Sequence, residues 1–239
     1  MSRIFAIGDL HLSLNPEIDK PQDIFGGEWE NYVEKLKKNW MDMVKDDDIV
    51  IICGDISWAL LPEEALYDLR FIAELPGTKL IFKGNHDLWW STNKKIKSIF
   101  SDDKMIFMKN DAYITEIDGK KIAIAGTRGW VCPGDREYDE HDEKMYRREI
   151  IRLKLSLDEA KKKNPDMIIG VLHYPPTNDK KQQSDFTRTM TEYGVKKCYY
   201  GHIHGKDNFK RGISGVLNGV EYFLVSFDYI NGCPKEVTL

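Results

Sequence analysis

Short β-branched runs alternate with helix-period stretches along most of the chain. Strands are expected at Arg3–Ile7, Ile49–Cys53, Lys79–Lys83, Met105–Met108, Ala112–Ile117, Lys121–Ala125, Met167–Leu172, Lys197–Tyr200 and Val220–Ser226. Runs such as "IVIIC" and "MIIGVL" are apolar at every position, which suits strands covered on both faces. Helices are expected between them. Glu28–Val44 spaces Trp29, Val33, Leu36, Trp40 and Met43 along one stripe, and Pro62 opens "EEALYDLRFIAEL" with acids in its first turn. Glu140–Lys163 carries Tyr146, Ile150, Leu153, Leu157 and Ala160 on one face, and Asn164–Pro165 stops it. "IDGKK" and "LNG" are turn sequences between strand patterns, so antiparallel pairing enters the second half. A βαβ-like first half and a β-rich second half fit helices covering a pair of packed sheets. No repeat, low-complexity segment or linker interrupts residues 1–239, which read as one domain.

Composition narrows the class. Apolar residues make up 41% and aromatics 11%, as in an ordinary folded protein. The net charge of −4 argues against nucleic-acid and anionic-membrane partners, which call for a basic surface. Lysine clusters at Lys94–Lys97, Lys161–Lys163, Lys180–Lys181 and Lys196–Lys197 are short and read as solvated helix faces or ends. Cys53, Cys132, Cys198 and Cys233 are widely spaced with no CxxC, a pattern that fits a reducing compartment. No apolar run reaches signal-peptide or membrane-span length, so a cytoplasmic location is expected.

The chemistry-bearing residues gather at strand ends. Of six histidines, His11, His86, His173, His202 and His204 follow directly on a candidate strand; His141 sits in the acidic start of a long helix. Aspartates join them: "GDLH" supplies Asp9 and His11, "GD" supplies Asp55, and "GNHD" supplies Asn85, His86 and Asp87. On extended backbone, residues two apart face the same way, which would pair Asp9 with His11 and His202 with His204. Ligands of α/β sheets bind beyond the carboxyl ends of the strands, so the pattern points to one convergent site.

These five segments, "GDLH", "GD", "GNHD", the "H" of "VLHYPP" and "GHIH", in this order, resemble the calcineurin-like metallophosphoesterase superfamily. The resemblance spans Asp9 to His204. It implies an α/β fold built as a four-layer α/β/β/α sandwich, with two central mixed sheets flanked by helices and a dimetal centre at the strand ends. It implies one metal held by Asp9, His11, Asp55 and His204, and a second held by Asp55, Asn85, His173 and His202, with Asp55 bridging. His86 would be no ligand, and would face the substrate phosphate or leaving group.

Such a site suits phosphate-ester hydrolysis. Two cations about 3.5–4 Å apart clamp the attacking and leaving oxygens, and a hydroxide shared between them is the expected nucleophile. Imidazoles, carboxylates and one amide oxygen favour two divalent transition-metal ions, from among Mn, Fe, Zn, Co and Ni, over Ca or Mg. A small-molecule phosphate ester, with a phosphodiester or nucleotide first, is the expected substrate. Resemblance to the Ser/Thr protein phosphatase branch would require an Asp and an Arg where this chain has Trp58 and Ala59. That demotes a protein phosphatase and leaves His86 to be held by Asp87 or a backbone carbonyl. The acidic balance speaks against a nuclease. A binding scaffold on this fold would have eroded ligands, whereas every ligand position is filled here. Arg128 in "GTRGW" reads equally as a replacement phosphate clamp or a solvent-facing loop residue, and Arg188 is a weaker candidate. Trp58, Trp89, Trp90, Trp130 and Tyr174 read either as walls of a substrate pocket or as core. The polar loop Pro175–Thr191 would be a cap over the site.

Overall fold

The computed structural model describes residues 2–239, except for the side chain of Asn93. Among the described residues, eleven strands form two sheets. β1 (Ile4–Ile7), β2 (Ile49–Ile52), β3 (Thr78–Ile81) and β4 (Met105–Phe107) run parallel, and β11 (Lys235–Glu236) closes the β1 edge antiparallel. In the second sheet β5 (Ala112–Ile117), β6 (Lys120–Gly126), β7 (Met167–Val171), β8 (Lys197–Tyr200), β10 (Val220–Leu224) and β9 (Gly215–Leu217) lie in that order. Here β6, β7, β8 and β10 are parallel, and β5 and β9 are antiparallel edges.

Both sheets are covered on both faces, which explains the unbroken apolar runs. In β2, Val50 and Ile52 point to the outer layer with Leu36, Trp40, Leu69 and Ile72. Ile49, Ile51 and Cys53 point the other way, against Ile122, Ile124, Ile169 and Tyr199 of the second sheet. In turn, Ala123, Ala125, Cys198 and Tyr200 face outward onto Tyr146, Leu153 and Leu157. The period-two alternation is present, but each face meets another apolar layer. The result is the four-layer sandwich: α1 (Tyr32–Met43), α2 (Leu66–Glu74) and α3 (Asn93–Ile99) outside one sheet, α4 (Glu140–Lys161) and α5 (Asp185–Glu192) outside the other.

The turn sequences perform as expected. Asp118–Gly119 and Asn218–Gly219 all have positive φ (53°, 74°, 51° and 82°) and join β5 to β6 and β9 to β10 as tight hairpins. α4 starts in a reciprocal cap between Asp139 and Asp142.

Several boundaries differ from the sequence expectation. The stripe from Glu28 is broken at Asn31 (φ 49°), so Trp29 belongs to a separate 3₁₀ turn and α1 begins at Tyr32. Residues 62–65 are turns, and α2 begins at Leu66. The expected polar loop Pro175–Thr191 contains most of α5. Ser184 and Thr187 cap that helix reciprocally, and Phe186 packs edge-on against Tyr146 with ring centroids 5.1 Å apart. Its polar composition hid two buried anchors, Phe186 and Met190.

Candidate metal centre

The parallel strands β1, β2, β3, β7 and β8 end at one edge, and the loops leaving them carry the candidate ligands. The loops are tied by backbone bonds: Asp9 N–H donates to Gly54 O (2.9 Å), His11 N–H to Asp55 O (2.9 Å), and Gly8 N–H to Val225 O (2.8 Å) across the two sheets. Asp9, His11, Asp55 and His202 have φ of 59°, 45°, 51° and 74°. The backbone there is left-handed, not extended, so the two-apart argument for a shared face does not hold. Each such residue costs about 1–3 kcal/mol and persists only where its surroundings over-determine it. Two glycines make room: a Cβ at Gly84 would collide with Asp55 Oδ1, and one at Gly201 with Asp9 Oδ2.

The folding brings the expected ligands together as two groups. Asp9, His11 and His204 form one, and Asp55, His173 and His202 form the other. In the first, His11 Nε2 and His204 Nε2 face each other at 3.2 Å, and His204 Nε2 lies 3.5 Å from Asp9 Oδ1. In the second, Asn85 Oδ1 lies 2.7 Å from His173 Nε2 and 2.9 Å from His202 Nδ1. Asp55 Oδ2 sits between the groups, 3.3 Å from His173 Nε2 and 3.9 Å from His11 Nε2. It is buried and accepts no hydrogen bond among the described residues. Its other oxygen accepts the His86 backbone N–H at 2.7 Å.

This donor set fits divalent cations. Lone pairs aimed at one another over about 3 Å repel unless a proton or a cation lies between them. Burial opposes a charged His173, but Asp55 and then Asp9 outweigh it and push its pKa up to about 9. Burial also opposes charge on His204, yet Asp9 and Asp228 push it up to about 10. Burial draws His11 down to about 4 and His202, helped by the charge on His173, down to about 3. Asp55 is held well below the usual carboxylate range: burial opposes its charge, but His173 and His11 prevail. Each group thus joins a buried carboxylate to one imidazole that favours a proton and one that refuses it. A cation at each group would take the proton's place.

The supporting residues include one that the sequence analysis missed. Asp228, just after β10, accepts from His204 Nδ1 (2.9 Å) and from Gly205 N–H (2.8 Å), which aims His204 Nε2 into the site. The signal was available: "LVSFD" is one more strand followed by a carboxylate. His173 Nδ1 is likewise fixed by Cys53 O at 2.9 Å. Asp87 does not hold His86. Its carboxylate accepts the N–H groups of Asp55 (2.9 Å), Ile56 (2.9 Å), Ser57 (3.3 Å) and Gly84 (2.7 Å), with Trp89 Nε1 at 3.0 Å. It therefore locks the loop that presents Asp55. His86 is exposed and packs against Trp58, with centroids 4.4 Å apart, and Trp58 also stacks on His11 at 4.8 Å.

Comparison with known proteins places this architecture. Residues 2–206 match the calcineurin-like phosphoesterase family. The chain belongs to that family. A 176-residue stretch is 24% identical to the uncharacterized protein MJ1445 of Methanocaldococcus jannaschii, covering 72% of this chain and 92% of that one. Among solved structures, phosphopantetheinyl hydrolase (PptH) of Mycobacterium tuberculosis superposes with a TM-score of 0.59 at 13% identity, over 99% of this chain and 95% of that one. TT1561 of Thermus thermophilus gives 0.52 at 16%, over 86% and 84%. At these identities the likeness concerns the fold.

In this calcineurin-like chain, two cavities flank the donor groups. An apolar one of about 540 Å³ is walled by Phe25, Trp29, Trp58, His11, His86 and His204. One of mixed polarity, of about 310 Å³, is lined by Tyr174, His202 and His204, with Asp135, Arg136 and Arg211 among its charged residues. Tyr174 lies against His202, centroids 4.2 Å apart. Pro175, Thr177 and Asp179 from the expected cap border the same cavity. Trp89 is core; Trp90 is half-buried beside it. Arg128 lines neither cavity: its guanidinium stacks on Trp130 (4.5 Å) and lies 3.8 Å from Glu149. Arg188 is paired with Asp185. The four cysteines are unpaired, and no described helix is long and apolar enough to cross a membrane.

Proposed function

We propose that this chain hydrolyses phosphate esters with two divalent transition-metal ions, and that its substrate is a small phosphodiester or nucleotide. The observation that carries the reading is the buried Asp55 Oδ2, which accepts no hydrogen bond among the described residues and lies between two groups of convergent imidazole and carboxylate donors. Asp9, His11 and His204 would hold one ion and Asn85, His173 and His202 the other, with Asp55 shared. When bound, the pair supplies a low-pKa water and relief of negative charge at phosphorus.

The chain's own residues do the rest. His86 is exposed at the wall of the apolar cavity, beside the donor groups, where a ring N–H can donate to the departing ester oxygen. Trp58, where the protein phosphatase branch has a carboxylate, packs against the His86 ring, with His11 edge-on to it. A diester has two substituents, and His204 borders both cavities. The Trp29 and Trp58 side would take a flat or apolar group such as a nucleobase, and the Tyr174 and Arg136 side a hydroxylated or charged one. We place the protein in the cytoplasm, a reading that its unpaired thiols support.

The test is turnover of a chromogenic monoester and a chromogenic diester by protein reconstituted with each metal in turn, with Asp55→Asn as control. Diester turnover above monoester turnover is expected. Failure of every metal to give hydrolysis of either would end the reading.

A further inference from the structure

A third cavity, of about 370 Å³, opens at the same edge of the sheets and shares no lining residue with the two at the donor groups. Its walls come from the ends of three strands and one face of α4: Lys83 after β3, Lys109 after β4, Thr127 and Arg128 after β6, and Arg148 and Arg152 one turn apart on the helix.

The charge balance is lopsided. Five cationic side chains, Lys83, Lys109, Arg128, Arg148 and Arg152, meet one carboxylate, Glu149. Glu149 is already engaged: one oxygen accepts the Thr127 hydroxyl, and the other accepts Arg152 Nη1 at 2.5 Å with Arg128 Nη2 at 3.8 Å. It aligns two guanidinium groups rather than neutralising the cavity. Arg128 Nε is buried with no hydrogen-bond partner among the described residues. Lys83, Lys109 and Arg148 have no ion-pair partner among them either. In a chain of net charge −4, a recess with this many uncompensated donors is held together against its own repulsion. Guanidinium forks match phosphoryl oxygens in pairs, and the cavity has more donors and more room than one phosphate needs.

We propose that this cavity binds a small polyanion carrying two or more phosphoryl groups, at a site separate from the metal centre. Lys83 and Arg128 take the inner phosphoryl group and Lys109 and Arg148 the outer one, while Phe82 and Met108 form an apolar floor. The Arg128 carbonyl accepts the backbone N–H groups of His173 and Tyr174, each at 2.9 Å, so the anion would rest behind the loop that carries His173.

Calorimetric titration of the full-length protein tests this, using pyrophosphate and, for comparison, inorganic phosphate at low salt. A chelator is present so that the titrant competes for no metal. Pyrophosphate is expected to bind at least about tenfold more tightly than phosphate, and the exposed pair Lys109→Glu with Arg148→Glu to weaken it at least about tenfold. Asp55→Asn should bind pyrophosphate as the parent chain does. No binding at millimolar pyrophosphate overturns the proposal, and so does unchanged binding in the charge-reversed protein. Phosphate binding as tightly as pyrophosphate overturns the two-phosphoryl assignment. Loss of binding in Asp55→Asn, whatever the reversal does, moves the anion to the metal centre and overturns the separate site.

Discussion

The loops around Asp55 and the recess around Arg148 both lie where strands end, yet one gathers lone pairs and the other gathers N–H donors. At the first, Asp9, Asp55 and four imidazoles turn acceptors inward, with Asp9, His11, Asp55 and His202 on left-handed backbone, buttressed by Asp87 and Asp228. At the second, lysines and arginines reach in from strand ends and a helix face around one carboxylate. A shared sheet edge gives both regions their position, and side chains alone give them opposite sign. The lone-pair region needs a rigid frame because misplaced acceptors repel. The donor region tolerates longer, flexible side chains because its ligand brings the order with it.

The largest effect should come from Asp55→Asn. Turnover of any phosphate ester should fall on the order of 10²–10³ or more, since the shared oxygen would serve neither group well. Steady-state assays with saturating metal check this, and parental turnover would detach Asp55 from the centre.

Next comes a carboxylate behind the loops. Asp68 accepts from Leu14 N–H at 2.8 Å and bonds the Ser57 hydroxyl, and burial raises its pKa to about 6 from an ordinary 3.8. The folded chain therefore holds this proton more tightly than the unfolded chain. Its contribution is most favourable below about pH 4, falls as pH rises to about 6 and is flat above, a change of about 3 kcal/mol. Asp68→Asn, which keeps an acceptor and a donor, should gain stability relative to the parent across that window in denaturant titrations. A constant difference between the two proteins from pH 4 to 7 would refute this.

Asp228→Ala should weaken metal binding about 10–100-fold by freeing the His204 ring, while leaving pyrophosphate affinity of the basic recess unchanged. Competitive metal titration with an indicator measures the first, and equal losses at both regions would dissolve the contrast between them. The smallest effect is at Trp58→Leu. Loss of the aromatic wall should raise KM for an aromatic diester by about 2–10-fold, with less change for a small monoester. An equal shift for both substrates would place Trp58 on the fold and not on the substrate.

Much of the site was legible because its chemistry recurs after β1, β2, β3, β7 and β8. A strand, a glycine and a ligand-type residue is a local pattern, and Asp9, Asp55, Asn85, His173 and His202 all obey it or nearly so. Asp228 follows a strand with neither the glycine nor a neighbouring histidine, so "LVSFD" looks like an ordinary strand exit. Arg128 shows the opposite failure. Its neighbours in "GTRGW" gave no sign that α4 would bring Arg148, Arg152 and Glu149 to it and turn it away from the donor groups. Phe186 and Met190 were hidden for the same reason: a short amphipathic helix in a polar stretch is recognisable only against the face it covers.

The order of the main strands and long helices, both hairpins and the residue types at the strand ends are written into the chain itself. They depend on backbone propensity, turn chemistry and local spacing, which act within a few residues. Folding in three dimensions settled the remainder: which ligand-type side chains converge in one donor group, that Trp58 packs against His86 while Asp87 locks the Asp55 loop, and that five cationic side chains share a recess. Those outcomes depend on approach distances between segments as remote as Asp9 and His202, whose contacts run at about 3 Å. The register of two packed sheets sets such distances, and it is fixed by core packing along the whole length of every strand.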